Sequence, residues 1–339
     1  MHKALLVGAG GMGRAWARNI LAAYPRVLLV GWVDIVPGLA EGGIADLADS
    51  LYGAVLPFTD LEEAINVTKP DFVVDVTVPE AHEAVTVMAL NLGVPVLGEK
   101  PMSVTIDSAM RMLDASREAN KLYMVSQSRR YDSGLMAFRD AIAALGGLGI
   151  LSADFFIGAH FGGFRDVMPD VLLMDMAIHT FDAARFLIDS NPRSVYCDSF
   201  RVPWTWYEGN ESALATFEFE SGVRFSYRGS WAAEGHQTEW EASWRAVCRD
   251  GTVTWNGGDQ LVIDRVVNQD GFIRPTTRER VLIGNLEHAG IAGSLRDFLA
   301  GLENDTEPMG ICFDNIWSLA MVLYAVESSR SGQKVDIAI

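Results

Sequence analysis

Two carboxylates and a histidine interrupt an apolar run, Val171-Leu-Leu-Met-Asp175-Met-Ala-Ile-His179-Thr-Phe-Asp182-Ala-Ala-Arg-Phe-Leu-Ile188. On a helix, positions i, i+4 and i+7 share one face, so Asp175, His179 and Asp182 are expected to point the same way. An acid beside a histidine suits proton transfer: unperturbed imidazole titrates near ~6.5, and a carboxylate can orient it or stabilise its charged form. The same face could hold a metal, or be a polar patch satisfied by neighbouring strands. A second such stretch, Gly98-Glu99-Lys100-Pro101, closes a short apolar run. The proline biases Lys100 to an extended backbone, and a lysine there can hydrogen-bond an oxygen on which negative charge develops.

The metal reading is short of ligands. Six histidines are scattered along the chain, with neither H-x-x-x-H nor H-E-x-x-H, so no metal is expected. Cys197, Cys248 and Cys312 form no C-x-x-C pair and read as reduced thiols of a cytoplasmic protein. The formal charge of −17 argues against nucleic acid and anionic membrane surfaces. No apolar run reaches the ~18 residues needed to cross a bilayer.

These residues need elements to position them. Across residues 3–128, apolar runs (KALLVG, VLLVGWVD, DFVVDVTV, PVLGEK, LYMVSQS, and a weaker AVLPF) alternate with helical patterns. That alternation predicts a doubly wound parallel α/β sheet covered on both faces, with ligand in the crevice at the strands' carboxyl ends. The first strand runs into Gly8-Ala-Gly10-Gly11-Met12-Gly13, a glycine fingerprint in its required strand-to-helix context. Gly8 suits the tight turn, Gly10 the approach of pyrophosphate and Gly13 close helix packing. Asp34, 21 residues beyond Gly13 at the end of the second strand, is placed to accept the adenosine ribose hydroxyls; the alternative is a helix cap. Ile35-Val36 offers no arginine for a 2′-phosphate, so NAD is favoured over NADP. Thr77, Val78, Pro79, His82 and Glu99 complete the expected cofactor contacts, and Lys100 falls where the nicotinamide should lie.

After residue 128 the alternation ends. Strand-like runs separated by Ser221-Gly222 and Asp250-Gly251 read as hairpins. Residues 128–339 are therefore expected to form an α+β domain with a large, mainly antiparallel, open-faced sheet, and 1–127 the nucleotide domain. Trp204, Trp206, Trp231, Trp240 and Trp244 are assigned chiefly to core or subunit interface, the uncovered sheet face suiting a homodimer or homotetramer.

GAGGMG, TVPEAH, GEKP, RRYDSG, DMAIHTFD, CRDGTVTW and ESSRSGQKV together resemble the Gfo/Idh/MocA family of NAD(P)-dependent oxidoreductases over essentially the whole chain. The resemblance implies a Rossmann domain, NAD as cofactor, and Lys100, Asp175 and His179 as catalytic residues. It also implies that hydride passes between the nicotinamide and a secondary alcohol carbon of a sugar, inositol or related polyol. RRYDSG and Asp182 look most like inositol and sugar dehydrogenases. Two segments depart from the family pattern, Asp170-Val-Leu-Leu-Met174 in place of paired glycines and Met124-Val-Ser-Gln127; both lie near the expected substrate pocket. Arg129, His160, Arg165 and Asp182 are candidate substrate contacts. His179 is the expected proton acceptor. For lysine to act as the base instead, its surroundings would have to supply about 4 kcal/mol. Alternatives are a glycoside-cleaving family member that uses NAD transiently, and a non-catalytic NAD-binding sensor.

Overall fold

Strands buried on both faces set the first sheet. The computed structural model describes residues 1–339. In chain order the first elements are β1 (His2–Val7), α1 (Gly11–Ala22), β2 (Val27–Val33), α2 (Leu39–Asp46), β3 (Leu56–Phe58), α3 (Leu61–Thr68), β4 (Phe72–Asp75), α4 (His82–Asn91), β5 (Val96–Glu99), α5 (Ile106–Ala119) and β6 (Tyr123–Ser126). All residues of β4, β5 and β6 are buried, as expected for strands with helices on both faces. The sheet is wholly parallel, in the order β3-β2-β1-β4-β5-β6. This is the Rossmann arrangement, with the strand order reversing between β1 and β4. Helix starts are written locally: Asp60 and Thr105 accept the Glu63 and Ser108 amides to cap α3 and α5.

The second unit contains α6 (Ser133–Ala143), β7 (Leu148–Phe156), the short α7 (Phe164–Val167), α8 (Ile178–Ile188), β8 (Pro192–Phe200), β9 (Ser212–Phe219), β10 (Arg224–Ser230), β11 (Ser243–Cys248), β12 (Gly251–Trp255), β13 (Leu261–Val266) and β14 (Thr276–Val281). With β15 (Val335–Asp336) they form a nine-stranded sheet, β14-β13-β12-β11-β7-β10-β9-β8-β15. Only the β7–β10 pair is parallel. One face is packed by helices: Phe181 of α8 meets Phe217 edge-on at 4.8 Å and Tyr227 at 5.2 Å, and Phe138 of α6 lies 6.0 Å from Trp255. Burying each large side chain of this kind contributes about 1.5–3 kcal/mol. The other face alternates outward, leaving Ile150, Tyr196, Leu214 and Val247 exposed.

The last helices, α9 (Gly290–Asn304) and α10 (Cys312–Ser331), divide differently from the sequence expectation. One compact unit comprises Met1–Ser128 with His288–Ile316, the other Arg129–Glu287 with Trp317–Ile339. Residues 288–316 therefore belong with the nucleotide sheet, not with the domain expected over 128–339. The cause is the apolar stripe of α9: Phe298 packs 5.3 Å from Phe72 of β4, Arg26 pairs with Glu303, and the Val125 amide donates to Gly310.

Candidate active site

The first turn of α1 is open to an anion. Gly10 is its N-cap, no side chain satisfies its amides, and no acidic residue lies there. Uncapped N–H groups at the positive end of a helix attract phosphate. A Cβ on Gly10 or Gly11 would meet nothing within 4 Å, whereas one on Gly13 would lie 2.1 Å from the Gly8 carbonyl oxygen. Gly8 itself has φ +102°. The loop is pinned from below, by Trp32 Nε1 donating to Gly8 O at 2.9 Å and by Arg14 donating to Ala9 O at 2.6 Å; Met12 is exposed at its rim. Asp34 accepts from the Ala9 amide at 2.7 Å and the Val36 amide at 2.9 Å. It caps no helix, since α2 starts from Gly38, and its oxygens retain lone pairs for ribose hydroxyls. Ile35 and Val36 leave apolar surface beside it. These residues fit NAD.

At the ends of β4 and β5 the groups turn inward. Buried Asp75 accepts from the Thr77 amide and hydroxyl and from the Thr86 hydroxyl, fixing the turn that presents Thr77, exposed Val78 and Pro79. His82, expected at the cofactor, is 2% exposed. Its Nδ1 lies 2.8 Å from Pro101 O and its Nε2 3.1 Å from Thr77 O, so it braces the Thr77 turn against the residue after Lys100. Glu99 is likewise internal: Oε1 accepts from Trp16 Nε1 at 2.7 Å and Oε2 from the Lys100 amide at 3.0 Å. Burial pushes its pKa above the ordinary glutamate value, against the opposing Trp16 hydrogen bond. Both side chains therefore position Lys100 and the Thr77 turn. Lys100 itself is half-buried, and its peptide bond to Pro101 is cis.

In the second unit, the helix bearing Asp175 is not regular. Leu172–Ala177 is π-helical and α8 takes over at Ile178. A π turn closes five residues apart rather than four, which breaks the i, i+4, i+7 alignment. Between Val171 and Ile188 only Met174, Asp175 and His179 are not buried. Asp175 pairs with Arg165 Nε at 2.5 Å. Asp182, expected among substrate contacts, points into the core: Arg130 donates to it at 2.8 and 2.6 Å and the Ser318 hydroxyl at 2.7 Å. That correction follows from the π turn. Arg129 pairs with Glu241 at 3.1 Å and reaches Met176 Sδ at 3.7 Å; burial lowers the Arg129 pKa and raises that of Glu241. His160 is exposed, paired with Glu234 at 2.7 Å and stacked on Trp206 at 3.6 Å.

Residues 2–127 match the oxidoreductase family with an NAD-binding Rossmann fold, and residues 164–254 match the GFO/IDH/MocA C-terminal domain. The chain belongs to the GFO/IDH/MocA oxidoreductase family. It is 26% identical to the 1,5-anhydro-D-fructose reductase of Ensifer adhaerens, over 99% of both chains. With the inositol 2-dehydrogenase of Rubrobacter xylanophilus it shares 30% identity over 56% of this chain and 53% of that one. The fold matches a crystal structure of an oxidoreductase from Agrobacterium radiobacter in complex with NAD+, L-tartaric acid and magnesium, with TM-score 0.86 and 19% identity over 99% and 98% of the chains. The chain is thus an NAD-binding oxidoreductase of this family. Sequence reasoning missed the buried partners Asp75, Trp16 and Arg130 and the half-buried Glu241. For Arg130 a signal existed in the RRYDSG motif, which contains it.

Proposed function

We propose that the protein is an NAD-dependent dehydrogenase moving hydride between the nicotinamide and a secondary alcohol carbon of a sugar, inositol or related polyol. When bound, NAD supplies the hydride acceptor and, in reverse, the donor. His179 takes the hydroxyl proton. Asp175, held by Arg165, orients the imidazole and stabilises its charged form. Lys100, fixed through its own amide by Glu99, hydrogen-bonds the reacting oxygen and offsets its developing charge. One observation carries the reading: along the buried run 171–188, the only polar side chains left with solvent access are Asp175 and His179. A purely structural polar patch would favour burial of all three carboxylate and imidazole groups, as happened to Asp182.

The relatives named for sugars and inositols support the substrate class. We also propose a cytoplasmic homodimer or homotetramer formed through the second sheet, supported by the exposed apolar side chains on its outer face. No helix is long and apolar enough to cross a membrane. The test is a titration with NAD and NADP followed by a screen of inositols, aldoses and sugar acids by nicotinamide absorbance. Reduced nicotinamide formed with NAD preference is the expected result. Sugar release without net reduction, or cofactor binding without turnover, would overturn it.

A further inference from the structure

Beside Asp175 lies an exposed aromatic surface. Phe164 is 64% exposed, and Phe161 and Trp240 each keep a little under half of their surface open, at 43% and 47%. They are held rather than loose: Phe161 packs 4.9 Å from buried Trp231, and Trp240 lies 6.1 Å from Phe155. Phe161 and Trp240 are 6.3 Å apart, inclined at 54°.

Two separate chains of contact tie this surface to the π-helical turn. The Arg165 guanidinium lies over Phe161 at 4.9 Å and Phe164 at 4.7 Å while its Nε donates to Asp175. From the other side, Trp240 precedes Glu241, which pairs with Arg129, and Arg129 reaches Met176, the neighbour of Asp175. An aromatic platform is thereby set beside the carboxylate, with charged groups between.

We propose that Phe161, Phe164 and Trp240 form a stacking subsite for the C–H face of a six-membered polyol ring, so that the substrate is a cyclitol or pyranose rather than an open-chain polyol. A chair ring offers one face of C–H hydrogens, drawn to the negative face of an aromatic ring. Its hydroxyls project from the rim, where Asp175 and Arg165 can bond them. An open-chain polyol has no such flat apolar face. This inference rests on the reading of Asp175 and His179 as facing substrate.

Calorimetry on the NAD-loaded protein tests it with a cyclitol, a methyl pyranoside and an alditol. The ring compounds should bind more tightly than the alditol. Trp240→Ala and Phe161→Ala should each weaken ring binding about tenfold, and Trp240→Phe should retain most of it. Equal affinity for ring and alditol, or ring affinity unmoved in Trp240→Ala, overturns the subsite. So does an assembly that dissociates in Trp240→Ala while ring affinity stays constant, because the platform would then be a contact between copies. His179→Ala reports separately: if it turns over normally while ring binding still depends on Trp240, the catalytic reading falls and the subsite stands.

Discussion

Replacing Asp182 with Asn separates a structural role from a substrate role. The carboxylate is 1% exposed and receives two bonds from an Arg130 side chain that is itself 6% exposed. Asn keeps the shape and removes the charge, taking from a buried guanidinium its carboxylate. Breaking one side of such a pair costs about 3–5 kcal/mol. In a unit of this size each kcal/mol lowers the unfolding midpoint by roughly 2–4 °C, so a fall of about 6–20 °C is expected. Ser318→Ala, which removes one hydrogen bond to the same carboxylate, should cost about 1.5–3 kcal/mol, the range for bonds to charged groups. Differential scanning calorimetry reads both. Kinetics measured well below the midpoint should show KM close to that of the parent. An Asp182→Asn protein with an unmoved midpoint and a raised KM would refute the assignment and return this residue to the substrate pocket.

Other consequences follow from the nucleotide half and the thiols. Asp34→Ala should weaken NAD by roughly 10–100-fold, the loss of bonds to a charged acceptor, and raise the relative use of NADP; unchanged cofactor preference in initial rates would count against Asp34 as the ribose acceptor. Glu99 has a folded pKa raised by burial. Its stabilising contribution is therefore fully present below the ordinary glutamate value and lost as pH rises through the folded one. Glu99→Gln should remove that portion of the pH dependence of the unfolding midpoint, and parallel curves for both proteins would contradict it. Burial pushes Cys197 and Cys312 up to about 12 and Cys248 to about 11, so alkylation of the native protein at neutral pH should be slow at all three. Rapid modification, read by mass spectrometry, would show otherwise.

The nucleotide half was legible because its signals are local. Continuous apolar runs set β1 to β6, and a glycine fingerprint set the turn before α1. The second sheet was legible wherever inward and outward residues alternate, as in β8 to β12. β14 escaped, since Thr276–Val281 has no buried residue and so no pattern to read. The place of α9 escaped for a different reason: its apolar stripe announces burial but does not name the partner sheet. At the site, residue types were readable and directions were not. Lys100 lies at a strand end as expected, yet His82 and Glu99 turn inward beneath it. Asp182 was misread because helical spacing presumes four-residue turns, and the π turn at Leu172–Ala177 leaves no mark in the sequence.

Single-turnover hydride transfer in Lys100→Met, His179→Ala and the double variant, with NAD affinity measured alongside, tests most directly the proposal that both side chains serve the hydride-transfer step. Each single variant should slow the transfer by about 10²–10⁴-fold, typical of positioned acid–base groups, with NAD affinity little altered. The double variant should be far less impaired than the product of the two, as for residues that work as a unit. Hydride transfer at the parental rate in either single variant would contradict the account.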